Sequence, residues 1–231
     1  PGNPTGSVYT REEMQAIVNV AAEEDILILS DEIYEKLVYD NVEHVSVAGL
    51  SQEAYNLTIT VNGFSKSYAM TGWRLGYLAA PEPIAKAVDA IQSHSTSNPC
   101  SFAQKGALAA LKGDQAAVTD MREEFNLRRQ YMISRFQGLD RVSIVAPQGA
   151  FYVLVNISQL GLNSTNFADK LLSKQHVAVV PGVAFGEDRT VRCSPSESRA
   201  HAPAGTTRMS RVISEMPSRR WRPRCTIGGA W

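Results

Sequence analysis

The stretch Asn62-Gly63-Phe64-Ser65-Lys66-Ser67-Tyr68-Ala69-Met70-Thr71-Gly72-Trp73-Arg74-Leu75-Gly76 constrains this chain more than any other. A short apolar run (Leu57, Ile59, Val61) leads into it, and a second (Leu75, Tyr77, Leu78, Ala79, Ala80) leaves it before Pro81. Both runs are short, partly alternating and bounded by Gly and Pro, which predicts two buried strands joined by a tight functional loop. The loop gathers the hydroxyls of Ser65, Ser67 and Thr71 with two cations, Lys66 and Arg74. Taken alone, such a pair reads as solvated loop cations. An ammonium among apolar neighbours gives up its proton more readily, however, and the free amine adds to carbonyl groups. Hydroxyls and a guanidinium suit a phosphate, which takes charge-assisted and often bidentate hydrogen bonds. A lysine beside a phosphate site is what pyridoxal phosphate asks of a protein.

The remaining pattern predicts an alternation of helices and strands. Thr10 and Glu13 form a capping box, and Met14, Ile17, Val18 and Ala21 follow at helical spacing towards Glu24. Ile26 to Leu29 is a continuous apolar run, expected to be a parallel strand buried on both faces and ending at Ser30-Asp31. Open α/β sheets put their ligands beyond such strand ends, so Asp31 is a candidate functional residue, beside its plainer reading as a helix-capping or turn aspartate. Tyr34, three residues on, falls on the same side of a helical turn, or serves as a core aromatic. Residues 40–56 read as a polar surface connection. Pro81 to Ser93 and Ala103 to Leu111 read as helices, with His94 in the loop between them as a surface or interface histidine. Asp114 to Gly138 is the longest helix, with Val118, Met121, Phe125, Met132 and Phe136 on the apolar face and Arg122, Glu123, Glu124, Arg128 and Arg129 on a solvated one. Val142 to Val145 and Phe151 to Val155 are expected as strands around the Pro147-Gln148-Gly149 turn. Phe167 to Lys174 suits a helix and Val177 to Val180 a strand.

The overall charge of zero hides a break. Residues 1–191 carry 15 Lys and Arg against 21 Asp and Glu, whereas residues 192–231 carry eight Arg, no Lys and two Glu. An acidic body thus meets an Arg-, Ser- and Pro-rich end without apolar periodicity, expected to hold little packed structure. A basic end can signal nucleic-acid contact, but a reading-frame change in the coding sequence is the favoured origin here, so nucleic acid is not expected as a partner. No apolar run reaches membrane-spanning length. Three cysteines (Cys100, Cys193, Cys225) form no Cys-x-x-Cys pair and no disulfide framework, which fits a reducing, cytoplasmic setting, with a plastid or other organelle left open.

Four pieces in order carry a family resemblance. They are Asn3-Pro4-Thr5-Gly6, Ser30-Asp31-Glu32-Ile33-Tyr34, the lysine stretch, and Gly149-Ala150-Phe151-Tyr152 with Val191-Arg192. Together they resemble the class I aminotransferases of pyridoxal-phosphate fold type I, most closely the branch holding aspartate and prephenate aminotransferases. The resemblance implies an α/β fold: the C-terminal part of a large, mostly parallel-sheet domain over residues 1–133, an incomplete small α+β domain over 134–192, and a tail outside the family pattern over 193–231. It implies that Lys66 holds the cofactor and moves the substrate proton. Asp31 would pair with the cofactor's pyridine nitrogen, and Tyr34 and Asn3 with its ring oxygen. Ser65 and Arg74 would hold the phosphate. Arg192 would hold the substrate α-carboxylate, with Asn3 beside it and Phe151 lining the site. No metal is implied. Amino acids and 2-oxo acids are the implied substrates, and a homodimer the implied assembly. The family's phosphate-cradling small-residue loop, stacking aromatic and interface tyrosine have no counterpart in this sequence and are expected upstream of it. A carbon–sulfur β-lyase of the same fold, or an aminotransferase-like effector domain of a transcription regulator, shares these motifs and stays open at this point.

Overall fold

The computed structural model describes residues 1–194, and the expectation for the basic tail from 195 onward lies outside the described residues. Helix α1 (Arg11–Glu23) starts as expected: the Thr10 side chain accepts from the Glu13 N–H while the Glu13 carboxylate accepts from the Thr10 N–H. Strand β1 (Ile28–Asp31) runs parallel to β2 (Thr58–Gly63), which pairs antiparallel with β3 (Gly76–Ala79). The lysine stretch is therefore the β2–β3 connection. Asp31 lies opposite Val61, so the acid and the lysine loop leave adjacent parallel strands at the same end.

Several expectations need correction. Strand β1 is not buried on both faces, since Leu29 is 69% exposed. Among the described residues it is an edge of its three-stranded sheet, with β2 alone beside it. Strand β3, the other edge, is likewise mostly exposed. Residues 40–56 are more than a surface connection: a 3-10 turn at Val47–Gly49 and helix α2 (Gln52–Leu57) pack Val47 and Ala54 against Val18 of α1. Helix α3 (Glu82–Ser95) takes in His94, and helix α4 (Ser101–Lys112) starts two residues before the expected Ala103, so the loop between them shortens to residues 96–100. Asp31 and Tyr34 are joined by successive turns, with Glu35 N–H on the Glu32 carbonyl and Leu37 N–H on the Tyr34 carbonyl, and not by an α-helix.

Helix α5 (Ala116–Gln137) carries side chains to two cores. Met121 packs with Tyr34, Leu37 and Tyr152, whereas Met132 and Phe136 enter the core of a second sheet. That sheet is antiparallel throughout: β4 (Ser143–Ile144), β5 (Val153–Asn156), β6 (Val180–Pro181) and β7 (Thr190–Cys193), in the order β4-β5-β7-β6. Helix α6 (Ser164–Gln175) covers it with Phe167 and Leu171. Cys193, the first residue of the expected tail, completes β7 opposite Val153 and is buried, because period-two alternation puts it on the same face as Val191.

Arg129 overturns the solvated face assigned to it. It is 7% exposed, and its Nη2 lies 2.6 Å from both carboxylate oxygens of Asp40. Its Nη1 donates to the Pro147 carbonyl at 2.7 Å and its Nε to Asn126 Oδ1 at 2.9 Å. One guanidinium thus ties α5, the segment after Tyr34 and the Pro147-Gln148-Gly149 turn.

Candidate active site

The Pro147-Gln148-Gly149 turn is the hub that brings distant pieces together. The N–H groups of Gln148 and Gly149 both donate to the Gly6 carbonyl at 2.8 Å, and Ala150 N–H donates to the Leu37 carbonyl at 2.8 Å. Tyr39 adds a hydroxyl bond to the Ala150 carbonyl. The approach is too close for a side chain at 149: a Cβ there would lie 2.6 Å from Pro1 Cβ and 2.9 Å from the Leu37 carbonyl oxygen. The Asn3 turn, the Tyr34 segment and Phe151-Tyr152 are thereby fixed against one another.

Around this hub the expected residues meet. The half-buried Lys66 holds its Nζ 5.9 Å from the Tyr34 ring centre and 5.5 Å from that of Phe151. Among the described residues it makes no ion pair. Tyr34 and Phe151 meet edge to face at 5.6 Å, and Phe125 of α5 stacks on the far side of Phe151 at 5.1 Å. The Tyr34 and Tyr152 hydroxyl oxygens are 2.7 Å apart. Arg192 lies over the Tyr152 ring at 4.3 Å and donates from Nη1 to Asn3 Oδ1 at 3.0 Å. Burial, then the Tyr152 hydroxyl, pushes the Tyr34 phenol well above its ordinary pKa, and the Arg192 guanidinium pulls it back. Tyr34 therefore stays a neutral hydrogen-bonding phenol at physiological pH.

Asp31 ends β1 with its carboxylate exposed and Oδ1 accepting from the Ile33 N–H at 3.2 Å. That is the turn contact expected of a strand-end aspartate, and one oxygen does that work. Its neighbour Glu32 is buried instead and was missed as a site-forming residue. Glu32 Oε1 accepts from Ser30, Ser46 and the Val47 N–H, and Oε2 faces His44 Nε2 at 3.1 Å. Burial alone would raise the Glu32 pKa, but the bonds from His44, Ser46 and Ser30 outweigh it and hold the carboxyl below the ordinary range. This clamp fixes the backbone on which Asp31 stands.

Ser65 and Arg74 are joined through Thr71: Thr71 Oγ1 donates to the Ser65 carbonyl at 3.0 Å, and Arg74 Nη1 to the Thr71 carbonyl at 2.9 Å. Arg74 is exposed, so its other N–H groups remain on the solvent side of the loop, beside a recess lined by Gly72, Trp73, Cys100 and Phe102. Ser67, next to the lysine, is buried and its hydroxyl has no partner among the described residues. The structure thus groups Lys66, Tyr34 and Phe151 by direct contact, and links them through Tyr152 to Arg192 and Asn3. Asp31 lies near enough for its charge to act on the Tyr34 phenol, whereas Ser65 and Arg74 join only through the loop.

The family model for aminotransferase class I and II matches residues 1–210. The chain belongs to that family. The match runs past Arg192, where the motif resemblance stops. An aspartate aminotransferase of Bacillus sp. (strain YM-2) is 45% identical over 203 residues, 86% of this chain and 52% of that protein. The aromatic-amino-acid aminotransferase 2 of Thermococcus litoralis is 40% identical, covering 93% of this chain and 56% of its own length. Among solved structures, an aromatic aminotransferase from Pyrococcus horikoshii superposes with a TM-score of 0.83 at 38% identity, over 94% of this chain and 57% of that one. The aspartate aminotransferase of Rhizobium meliloti does so at 0.82 and 33% identity, over 94% and 56%. The chain spans about half the length of the curated relatives it matches. The fold is fold type I, and the relatives named are aminotransferases, which leaves the β-lyase and regulator readings without support. The family is generally pyridoxal-phosphate-dependent and acts on amino acids and 2-oxo acids. The donor set here fits that cofactor by its chemistry: an amine for a carbonyl, a carboxylate for a basic ring nitrogen, a phenol for a ring oxygen and a guanidinium for a phosphate. No helix among the described residues is long and apolar enough to cross a membrane.

Proposed function

We propose that the full-length protein transfers an amino group from an aspartate-like or aromatic amino acid to a 2-oxo acid, with pyridoxal phosphate as cofactor and this chain supplying the lysine side of the site. The observation that carries this reading is the convergence of Lys66, Tyr34, Phe151, Arg192 and Asn3 from five separate stretches onto one locus. When bound, pyridoxal phosphate supplies an electron sink that makes the substrate Cα–H acidic.

The residues divide the remaining work. Lys66 would hold the cofactor through its amine and, once a substrate amino group has taken its place, would carry the proton from the substrate Cα to the adjoining carbon. Asp31 would pair with the ring nitrogen and hold a proton there. Tyr34 donates to the ring oxygen, with the Asn3 amide beside it. Ser65 and Arg74 hold the phosphate, and Arg192 takes the substrate carboxylate in a bidentate bond while Asn3 steadies its Nη1. Phe151 closes the substrate side. The protein acts as a homodimer, a reading supported by the apolar Ile91 and Phe102 that α3 and α4 leave exposed. Borohydride reduction of cofactor-loaded full-length protein tests the assignment. Peptide mapping is expected to place the pyridoxyl group on Lys66, and a label on Lys36 or Lys86 overturns it.

A further inference from the structure

Tyr152 touches the two binding groups of the site that come from opposite ends of the chain. Its hydroxyl oxygen is 2.7 Å from that of Tyr34, and its ring lies 4.3 Å beneath the Arg192 guanidinium. Both tyrosines are 6% exposed and their rings meet at 82°. The backbone that presents Tyr152 is fixed independently of these contacts: Ala150 N–H is bonded to the Leu37 carbonyl, and the next strand pairs Val153 with Cys193 and Leu154 with Arg192. The side chain thus has two torsions to set, with the Tyr34 phenol, the Arg192 guanidinium and the Phe151 ring at 4.7 Å to set them. A phenylalanine would fill the same space and carry the same cation, so packing alone leaves the phenol oxygen unexplained. A buried hydroxyl needs a partner, and the one supplied here is the phenol facing the lysine.

We infer that Tyr152 is a positioning residue that aligns both ends of the substrate site, its hydroxyl orienting the Tyr34 phenol and its ring seating the Arg192 guanidinium. The inference rests on the proposed roles of Tyr34 and Arg192. With one hydrogen-bonding direction of the Tyr34 oxygen taken by Tyr152, the other is left for the Lys66 side. With the guanidinium carbon 4.3 Å from the Tyr152 ring centre and 5.3 Å from that of Phe185, and one Nη on Asn3, Arg192 keeps a fixed orientation towards an incoming carboxylate. Cation–aromatic contact and hydrogen bond then couple carboxylate binding to the phenol that faces the cofactor.

Two variants of the full-length protein separate the two halves. Tyr152→Phe keeps the ring and removes the oxygen, whereas Tyr152→Leu removes both. In cofactor-free protein carrying Cζ-labelled tyrosine, Tyr152→Phe is expected to move the Tyr34 Cζ resonance, while succinate titrated by calorimetry binds as it does to wild type. Tyr152→Leu is expected to weaken succinate about three- to tenfold, the size of a partly buried cation–aromatic contact. In cofactor-loaded protein Tyr152→Phe shifts the pH midpoint of the visible absorbance and lowers kcat about five- to tenfold, as one lost hydrogen bond does, with KM for the amino acid within about twofold. An unmoved Tyr34 resonance together with an unmoved pH midpoint overturns the hydroxyl role. Equal succinate affinity in wild type and Tyr152→Leu overturns the ring role. Wild-type protein that develops no lysine-linked absorbance with pyridoxal phosphate overturns the proposed function, and the cofactor-free arms still decide the Tyr152 contacts.

Discussion

The two sides of the lysine loop are held in opposite ways. On the side of Tyr34, Tyr152, Arg192 and Asn3, all but the exposed Asn3 are buried or half-buried, and partners lie more than a hundred residues away, as in Tyr34 to Tyr152 and Arg192 to Asn3. On the side of Ser65, Thr71 and Arg74, the hydrogen bonds among the described residues close within six residues, and Thr71 and Arg74 are exposed. The first arrangement is preorganised by the fold, with Arg129 and the Gly149 turn behind it. The second is a local loop whose exposed guanidinium suits a charged group. The comparison teaches which groups set geometry and which supply attraction.

That contrast can be broken or sharpened by measurement, starting with the largest effect. Lys66→Ala in the full-length protein is expected to lower the rate of amino transfer by about 1,000-fold or more, the range of a positioned general base. Single-turnover kinetics check it, and a loss of only a few-fold would remove Lys66 from the chemistry. Asp31→Ala is expected to cost about 100- to 1,000-fold in rate, comparable with a lost preorganised electrostatic group, and much less in cofactor affinity. Loss of affinity alone, with the single-turnover rate kept, would make Asp31 structural.

Two arginines on α5 test the preorganised side directly. Arg129→Ala leaves Asp40 and the Pro147 carbonyl without their donor and is expected to cost about 2 kcal/mol, in the range for hydrogen bonds to charged groups, trimmed because Asp40 is half exposed. Arg128→Ala removes a single i,i+4 pair with Glu124 and is expected to cost below about 1 kcal/mol. Urea unfolding of the two variants measures the difference, and equal losses would mean that the clamp adds nothing beyond a helix-surface pair.

The smallest effect lies in the pH dependence of the Glu32 clamp. Its folded pKa is depressed below 4.5, so its stabilisation is complete above the unfolded value and is lost as pH falls through the folded one. His44→Ala removes the strongest of the lowering contacts and is expected to move the acid-unfolding midpoint upward. The midpoint followed by circular dichroism checks this, and an unchanged value would leave the Glu32–His44 contact without weight.

Much of the site was legible because its chemistry is local in sequence. The Thr10–Glu13 cap, the β2–loop–β3 unit around Lys66, the Asp31 strand end and the long α5 helix all follow from spacings of a few residues. There, propensity, capping and period-two or helical alternation act within one element. The motif resemblance added the roles of Asn3, Tyr34, Phe151 and Arg192. Tertiary structure alone decided what those residues touch. Arg129 shows why: its position falls in line with Met121, Phe125, Met132 and Phe136, yet its charge argued for solvent. Only Asp40 and the Pro147 carbonyl, brought in by chain closure, make its burial favourable. Glu32 was hidden in the same way beside Asp31, because its partners His44, Ser46 and the Val47 N–H arrive through a connection that reads as polar surface. The exposure of Leu29 was equally out of reach of a hydrophobic pattern. A run of apolar residues states what a strand prefers to bury, and the number of neighbouring strands decides what it does bury.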